Sequence, residues 1–456
     1  MLARARNLLL WAWTAASTAA LGQAVDLPNP SFESGRQGPA GWVAPTAGGA
    51  WRQGDAADGA RYLSLVGDGQ GEGQWVSDPV ALAGNTPYQF SFRARSEGCT
   101  QGTPTTGPAC CNRDLGRIPA AWTAFHSIFV TPDRKGAVNQ AFHLGQWHAD
   151  GTVAFDQLAL VPVQPLYVEQ DGVVLGDGER LDGQVYEFAA PLASPSANHS
   201  RPLRGHDCGF NTDRWVFSQA SRVTYVHEVR GRRQLEAEVR VVVGYHEAGG
   251  LVVEASRDGV QWQRLGSVDG KGGRAFPLPA SLLPAARVWV QLRAEGSRAT
   301  TGGADPGSFQ VAAYTYRARI DGPPLQVRGA TRFVAVPLAD DTVSVRVASL
   351  GDAVPGGGNV AELEWYHAGQ RPRLARPVVT LTQGTRSVAF PAPPVTLEPG
   401  QGRLQLPYEI PGTGNWELRL TLGRELGFAA QADLSLSTLY ESTYGYRLPA
   451  SSAAVG

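Results

Sequence analysis

The chain has 456 residues and a formal net charge of −1, and without a basic stripe it lacks the electrostatic footprint of a nucleic-acid-binding protein. Its length exceeds what one hydrophobic core sustains and points to about two to four domains. Glycine (55) and proline (32) punctuate it every few residues, and its apolar positions alternate, which argues against a helical bundle and for many short strands joined by turns.

Residues 1–24 carry Arg4 and Arg6, the apolar run LLLWAW and a small-residue stretch ending at Ala24, the three parts of a secretory signal peptide. The expected location is therefore secreted, periplasmic or cell-surface. An uncleaved anchor is the alternative and also leaves the bulk of the chain outside the cytoplasm. No later stretch approaches the roughly 20 apolar residues of a membrane helix, so no span is expected after signal removal.

Residues 25–164 read as one unit, with strand-like runs RYLSLVG, QWVSDPVAL, YQFSFRAR, FHSIFVTP, NQAFHLGQW and TVAFDQLALVPV. Tyr88, Phe90 and Phe92 fall on one face of their run, and Gln89, Ser91 and Arg93 on the other. A β-sandwich is predicted, with residues 96–118 as a long loop stapled to it. That loop holds Cys99, Cys110 and Cys111, and Cys208 lies in GHDCGF. In an oxidising compartment a local bridge from Cys99 to Cys110 or Cys111 is the economical expectation, although four cysteines allow three full pairings. A zinc site lacks its usual spacing, with neither CxxC nor HxxxH present.

LPNPSFESG, the Gly-Trp that follows, YLSLVG, QWVSDPVAL, YQFSFRARS, the Trp-led strand ending in FVTP, and TVAFDQLALVP together resemble the family 4/9 type of carbohydrate-binding module, a jelly-roll sandwich. The resemblance implies a polysaccharide or glycan partner. It also implies a structural calcium at Glu33 and Asp156, a hard cation closing the sandwich where its termini meet; the alternative is that these carboxylates bond turn amides. Sugar rings stack on exposed aromatic faces beside polar groups. Trp42 reads as core, whereas Trp51, Trp75, Trp122 and Trp147 lie in or beside strands. Trp51, Trp75 and Trp147, with His148 and Arg93 as polar partners, are the candidate ligand residues.

Residues 165–320 form a second predicted sandwich. LVVEASRDGVQWQRLGSV and ARVWVQLRAE are similar to discoidin-like, galactose-binding sandwiches, with Asp258-Gly259 as a tight turn and Trp262 packing back over the sheet. Residues 321–440, with strands such as VSVRVASLG, AELEWYHAG and WELRLTLG, suit an immunoglobulin-like or fibronectin-like sandwich without its disulfide. Residues 441–456 read as a linker or tail. YESTYGYRLP within 440–449 resembles the junction preceding the catalytic region in bacterial proteins related to family-123-type glycoside hydrolases, which implies an accessory part of such an architecture.

Catalytic patterns are wanting. His227-Glu228 and His246-Glu247 begin like HExxH but continue to Gly231 and Gly250, in strand sequence. GDGQGEG at 67–73 lacks the GxGxxG register and reads as a mobile loop, and no GxSxG elbow or P-loop occurs. Asp340-Asp341 and Glu362/Glu364 read as solvated strand ends and faces. The expectation is an all-β chain of serial β-sandwiches, two jelly-roll or galactose-binding-like and one immunoglobulin-like. It is exported, non-catalytic and glycan-binding; the alternative is a structural or adhesive cell-surface protein with protein partners.

Overall fold

The computed structural model of the chain describes residues 25–194, 196, 198–300, 305–335, 343–423 and 429–435. The expected leader over 1–24, the tail over 441–456 and the pair Asp340-Asp341 lie outside these residues. Strands dominate, and among the described residues the one helical element is the 3-10 turn Ala280–Leu282. None is a helix long and apolar enough to cross a membrane.

Alternation builds each sheet. In Pro87–Glu97, Tyr88, Phe90, Phe92 and Ala94 are buried while Gln89, Ser91, Arg93 and Arg95 stay partly open. The first sandwich pairs Gly49–Gln53, Arg61–Asp68, Asp150–Gln170, Pro87–Glu97 and Thr123–Val130 antiparallel in that spatial order. Facing it is the order Trp42–Val43, Glu72–Ser77, Phe142–Trp147, Thr103–Pro108, Cys111–Asp114. Trp42 is core, as expected, with its Nε1–H donating to Pro28 O at 2.8 Å.

The segment expected as a loop over 96–118 is different: Thr103–Pro108 and Cys111–Asp114 are strands of the sheet. Their sequence, TPTTGP and CNRD, has no apolar alternation. The ladder is imposed by neighbours, because Thr103–Pro108 takes its register from Phe142–Trp147. The expected disulfide is not formed, and all four cysteines are free. Cys99 lies against Thr152 O on one sheet, whereas Cys111 belongs to the ladder of the other. Burial raises the thiol pKa of Cys110 and Cys208, and that of Cys111 to about 12. A thiol reagent is therefore expected to modify Cys99 first in the native protein, with the other three reacting only after denaturation; fewer than four titratable thiols in denaturant would restore the bridge.

The sandwiches are joined by shared sheets. Cys111–Asp114 pairs in parallel with Gly209–Asn211, making one sheet continuous from the first sandwich into the second. Asp150–Gln170 runs across the expected boundary at 164/165 and pairs through Val163–Tyr167 with Thr331–Ala335 of the third sandwich. One core cluster spans residues 27 to 327, and a separate one begins at Val334. Asn198 fastens the first two sandwiches: its Oδ1 accepts from Val130 N at 2.8 Å, and its Nδ2 donates to Val130 O at 3.0 Å.

In the second sandwich, Gln234–His246 and Phe309–Ile320 form the longest ladder, packed over Arg222–Glu228, Arg287–Glu295 and Gly250–Ser256. The turn at Asp258-Gly259 forms as expected: Asp258 Oδ1 accepts from the amides of Val260 and Gln261 at 2.8 Å each. The tryptophan that packs over it is Trp289, whose ring lies about 3 Å from where a Gly259 Cβ would stand; Trp262 is only half-buried. Distance along the chain favoured Trp262, but cross-strand packing selected Trp289.

Candidate ligand-binding face

The outer face of the first sheet carries Arg52 and His126, exposed, and Tyr62, Arg93, Arg95 and Trp122, half-exposed beside the loop at 55–58. Inward Leu63 and Leu65 turn Tyr62 outward, and inward Phe92 and Ala94 turn Arg93 and Arg95 outward. Tyr62 and Trp122 meet edge to face with ring centroids 5.6 Å apart. The Arg95 guanidinium lies over both, 5.2 Å from the Tyr62 ring and 4.7 Å from Trp122. It also bonds Asp55 Oδ2 at 2.6 Å, while Trp122 Nε1–H donates to Asp55 O at 2.9 Å. Each cation–π contact is worth about 0.5–1 kcal/mol at an exposed site, so the cluster holds two aromatic rings in fixed orientation. Beside it, Arg93 Nε–H donates to Gln157 Oε1 at 2.8 Å.

The residues singled out in the sequence are dispersed. Arg93 lies on this face. Trp147, 47% exposed, and His148 lie at the end of the opposite sheet, their rings 4.6 Å apart. There His148 N donates to Gly71 O at 2.8 Å, tying the glycine-rich turn to the pair. Trp75 is corrected to core: it is 3% exposed and donates to Ser64 O, leaving no ring face for a sugar. Trp51 is half-buried, with its Nε1–H bonded to Phe32 O at 2.8 Å and Arg61 4.1 Å above its ring. Neither Tyr62 nor Trp122 is among the ligand residues expected from the sequence. The available signal was the phase of YLSL, which puts Tyr62 opposite its leucines; the approach of Trp122 depends on a strand distant in sequence.

Glu33 and Asp156 grip a single loop. Glu33 Oε1 accepts from the amides of Ala60 at 2.8 Å and Arg61 at 2.7 Å, and Asp156 Oδ2 from those of Ala57 at 2.7 Å and Asp58 at 2.8 Å. Gly59, at φ +69°, is required there, since a Cβ would stand 2.5 Å from Glu33 Oε1. Asp156 is fully buried. Burial raises its pKa against the lowering by three amides, and the Asp58 charge raises it further. Among the described residues no three His, Cys, Asp or Glu side chains converge to hold a metal ion.

The HExxH-like fragments are structural. His227 is fully buried, stacked on Tyr316 with centroids 3.7 Å apart and bonded through Nε2 to Tyr314 Oη at 2.7 Å. Glu228 accepts from Arg287, and His246 Nε2 bonds Gly249 O. Glu364 pairs with Arg346 and Arg403 on the outer face of the third sandwich.

No protein-family model matches the chain, and no curated protein does. Among solved structures, the chain is similar to the N-terminal CBM22 tandem domain from Paenibacillus barcinonensis, with 13% identity over 66% of this chain and 99% of that one, at a TM-score of 0.27. A β-glucuronidase from Bacteroides uniformis aligns with 9% identity over 48% of this chain and 26% of its own, at 0.16. An archaeal virus protein with a triple jelly roll fold aligns with 8% identity over 91% and 98%, at 0.20.

Proposed function

We propose that the chain is an exported, non-catalytic, multi-module carbohydrate-binding protein whose first sandwich docks a polysaccharide on its open sheet face. The observation that carries this reading is the Tyr62–Arg95–Trp122 cluster, two oriented aromatic rings beside a guanidinium on a partly exposed sheet face. Such a surface offers stacking for C–H faces of a pyranose and donors for its hydroxyls. The Trp147–His148 pair at the opposite sheet's end supplies a second, smaller contact.

Binding of the full chain to a panel of plant, algal and microbial glycans tests this. Trp122→Ala is expected to weaken binding by about tenfold or more, the loss of one good aromatic contact, without lowering the melting temperature by more than a few degrees. Trp75→Ala should instead destabilise the fold by about 3–5 kcal/mol. A folded chain that holds none of the glycans would favour the structural, adhesive reading.

Calcium at Glu33 and Asp156 is also proposed, supported by a fully buried Asp156 that faces Asp58 and bonds no cationic side chain among the described residues. Its role would be structural: binding only the native state raises stability by mass action. Millimolar calcium is expected to raise the melting temperature and EDTA to lower it; identical melting curves would leave the turn amides as the sole partners.

A further inference from the structure

We propose that the open face of the first sandwich selects an acidic polysaccharide, a polyuronate, with Arg93 receiving the sugar carboxylate; this rests on the glycan-binding reading above. Three guanidinium groups, Arg52, Arg93 and Arg95, lie on that face. Arg95 is already committed to Asp55 at 2.6 Å. Arg93 bonds only the neutral Gln157 amide, and Arg52 reaches only Ser64 Oγ at 3.4 Å. Among the described residues neither pairs with a carboxylate.

The acidic groups of the region are disposed to leave Arg93 open. Asp156, directly across the ladder from Arg93, turns its oxygens into the amides of residues 57, 58 and 157. Asp55 is taken by Arg95. Glu97, at the end of the strand, marks one limit of the face. Arg52 and Arg93 are separated by three strand spacings, about 14 Å, which suits a chain of sugars and not a single ring. Between them Tyr62 supplies an apolar surface. A guanidinium matches a planar carboxylate with two parallel hydrogen bonds, whereas it meets a hydroxyl with one; the charge complementarity therefore names uronates over neutral sugars.

The test is titration of the full chain with polygalacturonate and alginate, with neutral xylan and β-glucan, and with a sulfated galactan. Uronates are expected to bind about tenfold tighter than neutral polymers, the worth of one charge-assisted pair, and to weaken with rising salt. Arg93→Gln should bring uronate affinity down to the neutral level, and Arg93→Lys should not restore it, with melting temperatures unchanged in both. Neutral glycans binding as tightly as uronates, a sulfated galactan preferred over them, or an indifferent Arg93→Gln would overturn the proposal and leave the glycan-binding reading standing. No binding to any polymer would overturn both.

Discussion

Arg201→Ala is expected to destabilise the protein by about 3–5 kcal/mol, read as a shift of the urea midpoint for the fluorescence change of the second sandwich. Glu179 has a side chain with no exposure, and Arg201 is 19% exposed. The guanidinium bonds the carboxylate in fork geometry, Nε and Nη2 each at 2.6 Å, and Nη2 also reaches Glu228 O at 2.9 Å. Tyr186 Oη and the Gly176 amide, both at 2.7 Å, complete the carboxylate's shell. Removing the arginine leaves a buried negative charge with two neutral donors, and that residual desolvation cost dominates the loss. The exposed pair Arg180–Glu187, at 3.0 Å with Arg180 59% exposed, provides the contrast: Arg180→Ala should cost under about 1 kcal/mol. Equal effects at the two sites would sink the argument from burial.

Acidification is expected to loosen the joint between the sandwiches through three buried histidines, partly offset by Asp177, whose carboxyl pKa burial raises to about 6. His199, His206 and His227 are buried and held neutral, their pKa values lowered by desolvation, with the Arg201 charge adding to the effect at His227. His199 is pushed down to about 4. It lies between Tyr167 and Phe333, at 6.4 and 4.9 Å between ring centroids, where residues of all three sandwiches meet. His206 bonds Val130 O at 2.9 Å and Cys208 O at 3.1 Å. An unfolded histidine takes its proton near pH 6.5, so below that value the unfolded state binds more protons. The stability these residues confer is complete at neutral pH and is lost as the pH falls from about 6.5. For His199 the loss continues to about 4 and amounts to about 2 kcal/mol at pH 5. Melting temperatures at pH 7.5, 6 and 5 should fall steadily; a flat profile across that range would show the histidines to be charged or solvated in the native state.

These two expectations rest on contacts between residues far apart in the chain, which marks the division between what sequence and tertiary structure determine here. The all-β class was legible because a strand records its buried face at period two: Tyr88, Phe90 and Phe92 read as one face and are one. Trp42 in the core and the Asp258-Gly259 turn follow from similarly local rules, whereas the amides of residues 57 and 58 that Asp156 grips lie 99 and 98 residues away in the chain. The strands within 96–118 were not legible, since Thr103–Pro108 takes its register from Phe142–Trp147 and the polar run CNRD is placed by the parallel contact with Gly209–Asn211. Nor could sequence sort the tryptophans. Trp75 and Trp147 have similar local patterns, yet Trp75 points between the sheets and Trp147 projects past the end of one. The binding face is assembled by the same means: Tyr62, Arg95 and Trp122 come from three different strands or strand ends, and their meeting depends on pairing order and register. Hydrophobic alternation specifies that a strand has two faces; only the packed neighbours decide which face remains open and what lies beside it.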